Sequence, residues 1–170
     1  DVILIGHSYG GMVTTGVADR ISERIKHLIY IDALLPESGE CALDLMPTVQ
    51  KISLIESAKN MGFGWLVPPA PLPPDTPELD VRLAKKLRGP QPLGTFSSPI
   101  KLEKNYVPLP SAYVYCKKNG PHDTFRIAAL RAQSRGDMEY FEIDASHNPH
   151  ITVPMQLTEL ILSIIKLPRK

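Results

Sequence analysis

Apolar positions recur along this chain in two alternating periods. Val2-Ile3-Leu4-Ile5 is a short β-type run that ends in a glycine-rich turn. From Gly11 to Ile21, Met12, Val13, Val17 and Ile21 fall at helical spacing and are expected on an inner face. His27 to Ile31 is a second β-rich run, expected to end at Asp32, and Pro36-Glu37-Ser38-Gly39 reads as a turn. Residues 41–60 are helix-compatible, with apolar positions spread too widely for a simple surface helix. Residues 67–74 hold five prolines and must be extended. Pro77 stands at the first helical position of a helix that runs to Arg88 and stops at Gly89-Pro90. Tyr113–Cys116 and Met138–Ile143 read as strands, and Asp123–Arg135 and Met155–Lys166 as helices. Strands that alternate with helices predict an α/β fold: a parallel sheet with crossover helices, in one domain over residues 1–170. The stretch from about 36 to 108 breaks the rhythm, is too long for a loop, and is expected to be a cap inserted above the sheet.

Composition narrows the function classes. Apolar residues make up 43% of the 170, enough for a core. Nineteen basic and eighteen acidic residues produce no field that would draw nucleic acid or a membrane surface, so neither is expected as a partner. Cys41 and Cys116 have neither a CxxC nor a metal-ligand spacing, so no metal or cofactor is expected and a reducing, cytoplasmic setting is the default. No apolar run approaches the roughly 18 residues of a membrane-spanning helix.

The chemistry enters at Gly6-His7-Ser8-Tyr9-Gly10. A strand, a tight turn carrying serine, and a helix together form a nucleophile elbow, which exposes a hydroxyl at the top of a sheet. Gly6 and Gly10 are expected to avoid collisions with the neighbouring strand and helix. The same turn aims backbone N–H groups at the helix N-terminus, where a developing oxyanion can be held.

A serine nucleophile needs a base, and the base needs an acid to orient it. Of the five histidines, His7 lies inside the elbow, His27 starts a strand and His122 sits in a polar turn. His147 and His150 follow the final strand, where the base of such a sheet is found, and His147 is favoured as the first after it. Three aspartates compete for the acid. Asp123 follows the strand Tyr113–Cys116 but is also suited to cap the next helix. Asp32 stands at the sheet edge that carries Ser8 and has no evident cap role. Asp144 is the weaker candidate, too near His147 in sequence to reach behind it.

These residues carry a resemblance. Gly6 to Gly11, Ile29 to Glu37, Tyr113 to Cys116, Ser146-His147-Asn148-Pro149 and Pro154 occur in order over nearly the whole chain. Together they resemble the α/β-hydrolase branch of small carboxylesterases, plant methyl-ester hydrolases and hydroxynitrile lyases, and are most similar to its microbial, pyrethroid-hydrolase-like esterases. The resemblance implies Ser8 as nucleophile, His147 as base and the Tyr9 N–H as an oxyanion donor. The family's usual acid position holds Asn119, which has no charge to offer. Some α/β-hydrolases carry the acid after the strand that follows the elbow, so Asp32 is the expected acid, with Asp123 second. Hydroxynitrile lyases of this branch place lysine after the catalytic histidine; Asn148 disfavours that chemistry.

The resemblance therefore implies a serine carboxylesterase acting through an acyl-enzyme on small or hydrophobic esters, with Leu45, Met46, Met61, Phe63, Trp65 and Leu66 lining an apolar pocket in the cap. The competing expectation is a catalytically impaired binding protein on the same scaffold, motivated by Asn119. The elbow stands at the very start of the chain, whereas the family has several strands and an oxyanion-supplying HG loop before it. The sequence is accordingly expected to be the C-terminal part of a longer protein. If these 170 residues were instead the whole product, the first strand is expected at a sheet edge, open to homodimer formation.

Overall fold

The computed structural model describes residues 2–103, 109–120 and 123–166. Strand β1 (Val2–Ser8) leads through the serine turn into helix α1 (Gly10–Ile21), and a single 3-10 turn then feeds strand β2 (Ile25–Ala33). The chain leaves the sheet at this point. A 3-10 turn (Ala42–Leu45), helix α2 (Thr48–Met61), strand β3 (Leu66–Val67), helix α3 (Glu78–Leu87), strand β4 (Gln91–Pro92) and helix α4 (Leu93–Ser97) follow. Strand β5 (Ser111–Cys116) restores the rhythm and is followed by helix α5 (Arg126–Ser134), strand β6 (Glu139–Ile143), helix α6 (Pro149–Thr152) and helix α7 (Pro154–Lys166).

The four long strands form one sheet in the order β1-β2-β5-β6, with every pairing parallel. All their C-terminal ends therefore lie along one edge, the edge where open α/β sheets gather their chemistry. Successive side chains of a strand point to opposite faces, and the packing follows that period. Leu28 and Tyr30 of β2 join Tyr113 and Tyr115 of β5 against the alanines of α5 and Ala18 of α1. Ile29 and Ile31 join Ala112, Val114 and Cys116 on the other face, against Leu157 and Ile164 of α7. A third cluster joins Met12 of α1 to Leu34, Leu43, Leu45, Ala58, Val67 and Phe96, seating the segment between β2 and β5 on the elbow helix.

Several expectations change. β2 does not stop at Asp32 but runs through it to Ala33, because Asp32 is a bulge: His7 pairs with Ile31 and Ser8 with Ala33. Val13 and Ile21 of α1 are exposed, and Met12 and Ala18 hold the inner face. Residues 41–60 split into a 3-10 turn and α2, with Pro47 between them. The proline-rich segment joins a two-stranded antiparallel ribbon, β3 with β4, to α3. The anticipated end of the insertion, near residue 108, lies outside the described residues. β1 forms one edge of the described sheet, with Val2, Ile3 and Ile5 exposed.

Candidate active site

The turn after β1 holds Ser8 at φ 58°, the left-handed region that a residue with a side chain seldom adopts. Packing enforces it. A Cβ on Gly6 would stand 2.5 Å from the Thr14 hydroxyl of α1, and a Cβ on Gly11 would stand 1.9 Å from the Leu34 carbonyl oxygen. Gly10 meets nothing within 4 Å. The steric demand assigned to Gly10 thus belongs to Gly11, where α1 crosses the segment leaving β2. The Leu34 N–H also donates to the Ser8 carbonyl at 3.0 Å, tying the turn to the same segment.

His147 arrives from the loop after β6. Its Nε2 lies 3.0 Å from Ser8 Oγ and its Nδ1 2.7 Å from Asp32 Oδ2. A carboxylate only accepts, so Nδ1 carries the proton and Nε2 presents its lone pair to the serine hydroxyl. The imidazole stacks on Phe125, with centroids 4.4 Å apart and planes 7° from parallel. It also lies 4.6 Å from the His7 ring. His7 Nε2 donates to the His147 carbonyl at 2.7 Å. Burial, helped by the neighbouring His147 and opposed by that hydrogen bond, brings the His7 pKa down from 6.5 to about 4. His7 is therefore neutral at pH 7 and braces the His147 loop. His150, in α6, stands 4.9 Å from His7, and burial lowers its pKa as well.

Asp32 has no exposed surface and also adopts a positive φ, 42°. The bulge swings its carboxylate toward β5. Oδ1 accepts the Cys116 N–H at 3.1 Å, and the Asn119 amide nitrogen lies 3.0 and 2.9 Å from the two oxygens. Burial pushes this carboxyl above the ordinary range, while the bonds to His147, Cys116 and Asn119 pull it back.

Of the competing acids, Asp123 does not cap α5, whose N-cap residue is Phe125. It accepts the Phe125 N–H at 2.8 Å, the Tyr115 hydroxyl at 2.5 Å and the Asn119 amide at 3.2 Å. Asp144 is largely exposed and pairs with Lys118 at 2.8 Å. His27 is buried in β2, and His122 lies outside the described residues. Tyr9 precedes α1, where the first N–H groups have no acceptor within the helix. Its hydroxyl donates to the Thr95 carbonyl at 2.9 Å and its ring meets Phe96 edge-on, fastening the elbow to α4.

A cavity of about 680 Å³ adjoins Ser8 and His147. Ala70, Pro71, Leu72, Pro73 and Pro74 of the extended segment, Leu83, Ala84 and Leu87 of α3, and Ile151 form its apolar wall, with Arg88, Lys118 and His150 on the lining as well. Arg88 donates to the Ala70 carbonyl at 2.9 Å, tying α3 to the proline strap. None of the residues expected to line a pocket does so here. Leu45 is buried in the core beneath α2 and Met46 packs against it, while Met61, Phe63 and Trp65 face solvent. The proline strap is the missed element. Its lack of periodicity hides which side faces the serine. Among the described residues, no group of three or more His, Cys, Asp or Glu side chains is placed to hold a metal ion, and no helix is long and apolar enough to cross a membrane.

Known proteins resemble this chain in sequence and in fold. A carbendazim hydrolyzing esterase of a Nocardioides species is 29% identical over 172 residues, covering 96% of this chain and 71% of that protein. A pFDCC methylesterase of Arabidopsis thaliana is 26% identical, covering 96% and 68%. An extracellular alpha/beta-hydrolase from a Paenibacillus species superposes with a TM-score of 0.79 at 24% identity, over 96% of this chain and 72% of that one. The pyrethroid hydrolase PytH does so at 0.69 and 19%, over 99% and 71%. Identities this low in the solved structures establish the fold alone. The model of the alpha/beta hydrolase family matches residues 1–159, taking in the serine turn, the bulged Asp32 and the His147 loop, and the chain belongs to that family.

Proposed function

We propose that this protein is a serine carboxylic-ester hydrolase that works through an acyl-enzyme on esters with an apolar body. The observation that carries the reading is the unbroken chain Ser8 Oγ–His147–Asp32, at 3.0 and 2.7 Å, built on a serine with positive φ. His147 Nε2 takes the hydroxyl proton as Ser8 Oγ attacks the ester carbonyl. Negative charge develops on the carbonyl oxygen, and the Tyr9 N–H at the positive end of α1 receives it. His147 then protonates the leaving alcohol, and the acyl group stays on Ser8. Water, deprotonated by the same nitrogen, releases the acid. Asp32 holds the imidazole tautomer and balances the imidazolium charge. The relatives named for carbendazim hydrolysis and methyl-ester cleavage support ester or carbamate substrates, and the strap and α3 supply the wall for an apolar portion.

A fluorophosphonate probe and p-nitrophenyl esters test the proposal. Wild-type protein takes up one phosphonyl group on Ser8 and shows a burst of alcohol product. Ser8→Ala takes up none and loses at least ~10³-fold in kcat. Ester hydrolysis that survives Ser8→Ala at the wild-type rate refutes the assignment.

A further inference from the structure

Asn119 occupies a position that the esterase reading leaves unexplained. Its side-chain nitrogen carries two protons and is surrounded by carboxylate oxygens: Asp32 Oδ1 at 3.0 Å, Asp32 Oδ2 at 2.9 Å and Asp123 Oδ1 at 3.2 Å. One proton is shared by the two oxygens of Asp32 and the other goes to Asp123. The amide oxygen is buried with no hydrogen-bond partner among the described residues, so the donor contacts alone set the amide orientation. Each carboxylate is anchored elsewhere. Asp32 takes the Cys116 N–H and His147 Nδ1, and Asp123 takes the Phe125 N–H and the Tyr115 hydroxyl. Phe125 in turn stacks on His147. The contacts close a ring: Asn119 to Asp123, to Phe125, to His147, to Asp32, and back to Asn119.

We propose, resting on the esterase reading, that Asn119 is a positioning residue of the catalytic site: its amide clamps Asp32 in the orientation that receives His147 and ties it to Asp123. The residue type follows from the geometry. A neutral donor of this length bridges two carboxylates, whereas a carboxylate at 119 would set a third negative group between them. The asparagine therefore complements an acid at 32. The titratable groups around Asp32 are His147 from the loop after β6, Tyr113 and Cys116 on β5, and Asp123 ahead of α5. The amide, like the Cys116 N–H, is a neutral donor to the Asp32 carboxylate, so its loss favours the protonated form of Asp32.

Asn119→Ala, Asn119→Asp, Asp32→Asn and the exchange Asp32→Asn with Asn119→Asp test this in the full protein, read by kcat, KM and the pH profile of kcat/KM. Asn119→Ala is expected to lower kcat ~10-fold with KM within ~2-fold, and to move the acid limb of the profile to higher pH. Asn119→Asp moves the limb further in the same direction, because three clustered carboxylates retain a proton. The exchange restores a donor–acceptor pair and one negative charge, and recovers ~10-fold over Asp32→Asn alone. A purely structural asparagine would alter the thermal midpoint and leave the limb in place. Wild-type kcat with an unmoved limb in Asn119→Ala, or full activity in Asn119→Asp, overturns the proposal. If the wild-type protein fails to label at Ser8, the esterase reading itself has failed. If it labels and Asn119→Ala behaves as wild type, only the role of Asn119 is lost.

Discussion

Ser8 and Asp32 both hold positive φ, at 58° and 42°, and both lie at the β1–β2 register shift, where Ser8 pairs with Ala33 and Asp32 is bulged out. Strain of this kind costs about 1–3 kcal/mol per residue and persists only where the surroundings over-determine it. Asp32→Asn tests what the strained Asp32 contributes under the proposed mechanism. Asparagine tolerates the left-handed backbone, so the variant folds, and kcat falls by ~10³–10⁴-fold because the charge opposite the imidazolium is gone. Full activity in Asp32→Asn would move the acid elsewhere. His7 makes a second prediction. Its pKa is lowered in the folded protein, so its contribution to stability is complete above pH 6.5 and is lost as pH falls toward 4, where only the unfolded chain binds the proton. The loss amounts to at most about 3 kcal/mol. Urea unfolding of wild type and His7→Gln at pH 7.5 and pH 4.5 measures it: the wild type weakens more on acidification, and equal slopes would contradict the assignment.

The elbow helix and the strap are the elements on which the site depends. Gly10 and Gly11 are adjacent yet predict opposite outcomes. Gly11→Ala drives a Cβ into the Leu34 backbone and is expected to cost about 2 kcal/mol or more, with loss of Ser8 labelling. Gly10→Ala meets open space at the first turn of α1 and is expected to be neutral or to stabilise by up to about 1 kcal/mol. Thermal melts of the two variants separate these outcomes. On the strap side, α3 has no buried residue and presents Leu83 and Leu87 to the cavity. Leu83→Asp is expected to raise KM for apolar esters ~5–10-fold, with a smaller change in kcat, since it removes apolar wall and leaves the triad intact. An unchanged KM across acyl-chain lengths would remove α3 from the binding wall.

At the scale of the molecule, contacts tie the sheet layer to the segment that follows β2. Arg131 of α5 donates to the buried Leu35 carbonyl at 2.7 Å and forms a two-pronged pair with Glu40 at 2.6 and 2.8 Å. The guanidinium holds the Glu40 carboxyl below its ordinary range. Arg131→Ala is expected to lower unfolding stability by about 1–3 kcal/mol, and Arg131→Lys to recover only part of it because an ammonium cannot match the fork. A chemical denaturation series checks both.

The residue order alone was enough to make the strand–turn–helix at Ser8, the alternating α/β pattern and the break in that pattern after β2 legible, and to single out Ser8 and His147 as candidates. A tight turn between strand and helix admits few residue types, and the hydrophobic period reports which face a segment buries. Three features emerge only in the folded chain. Asp32 and Asp123 were equal in type and both near the sheet edge. A one-residue bulge in β2, where its register against β1 shifts, turns Asp32 toward His147 and leaves Asp123 behind Asn119. The crowded glycine is Gly11 and not Gly10, because the crossing of α1 with Leu34 joins residues far apart in sequence. The cavity wall comes from the proline strap and α3 instead of the aromatic tip of the insertion, and an aperiodic segment carries no record of the side it presents. Local order writes itself into the sequence through steric and periodic constraints; long-range register and the packing of irregular chain do not, and here they set which aspartate meets His147 and which segments wall the cavity.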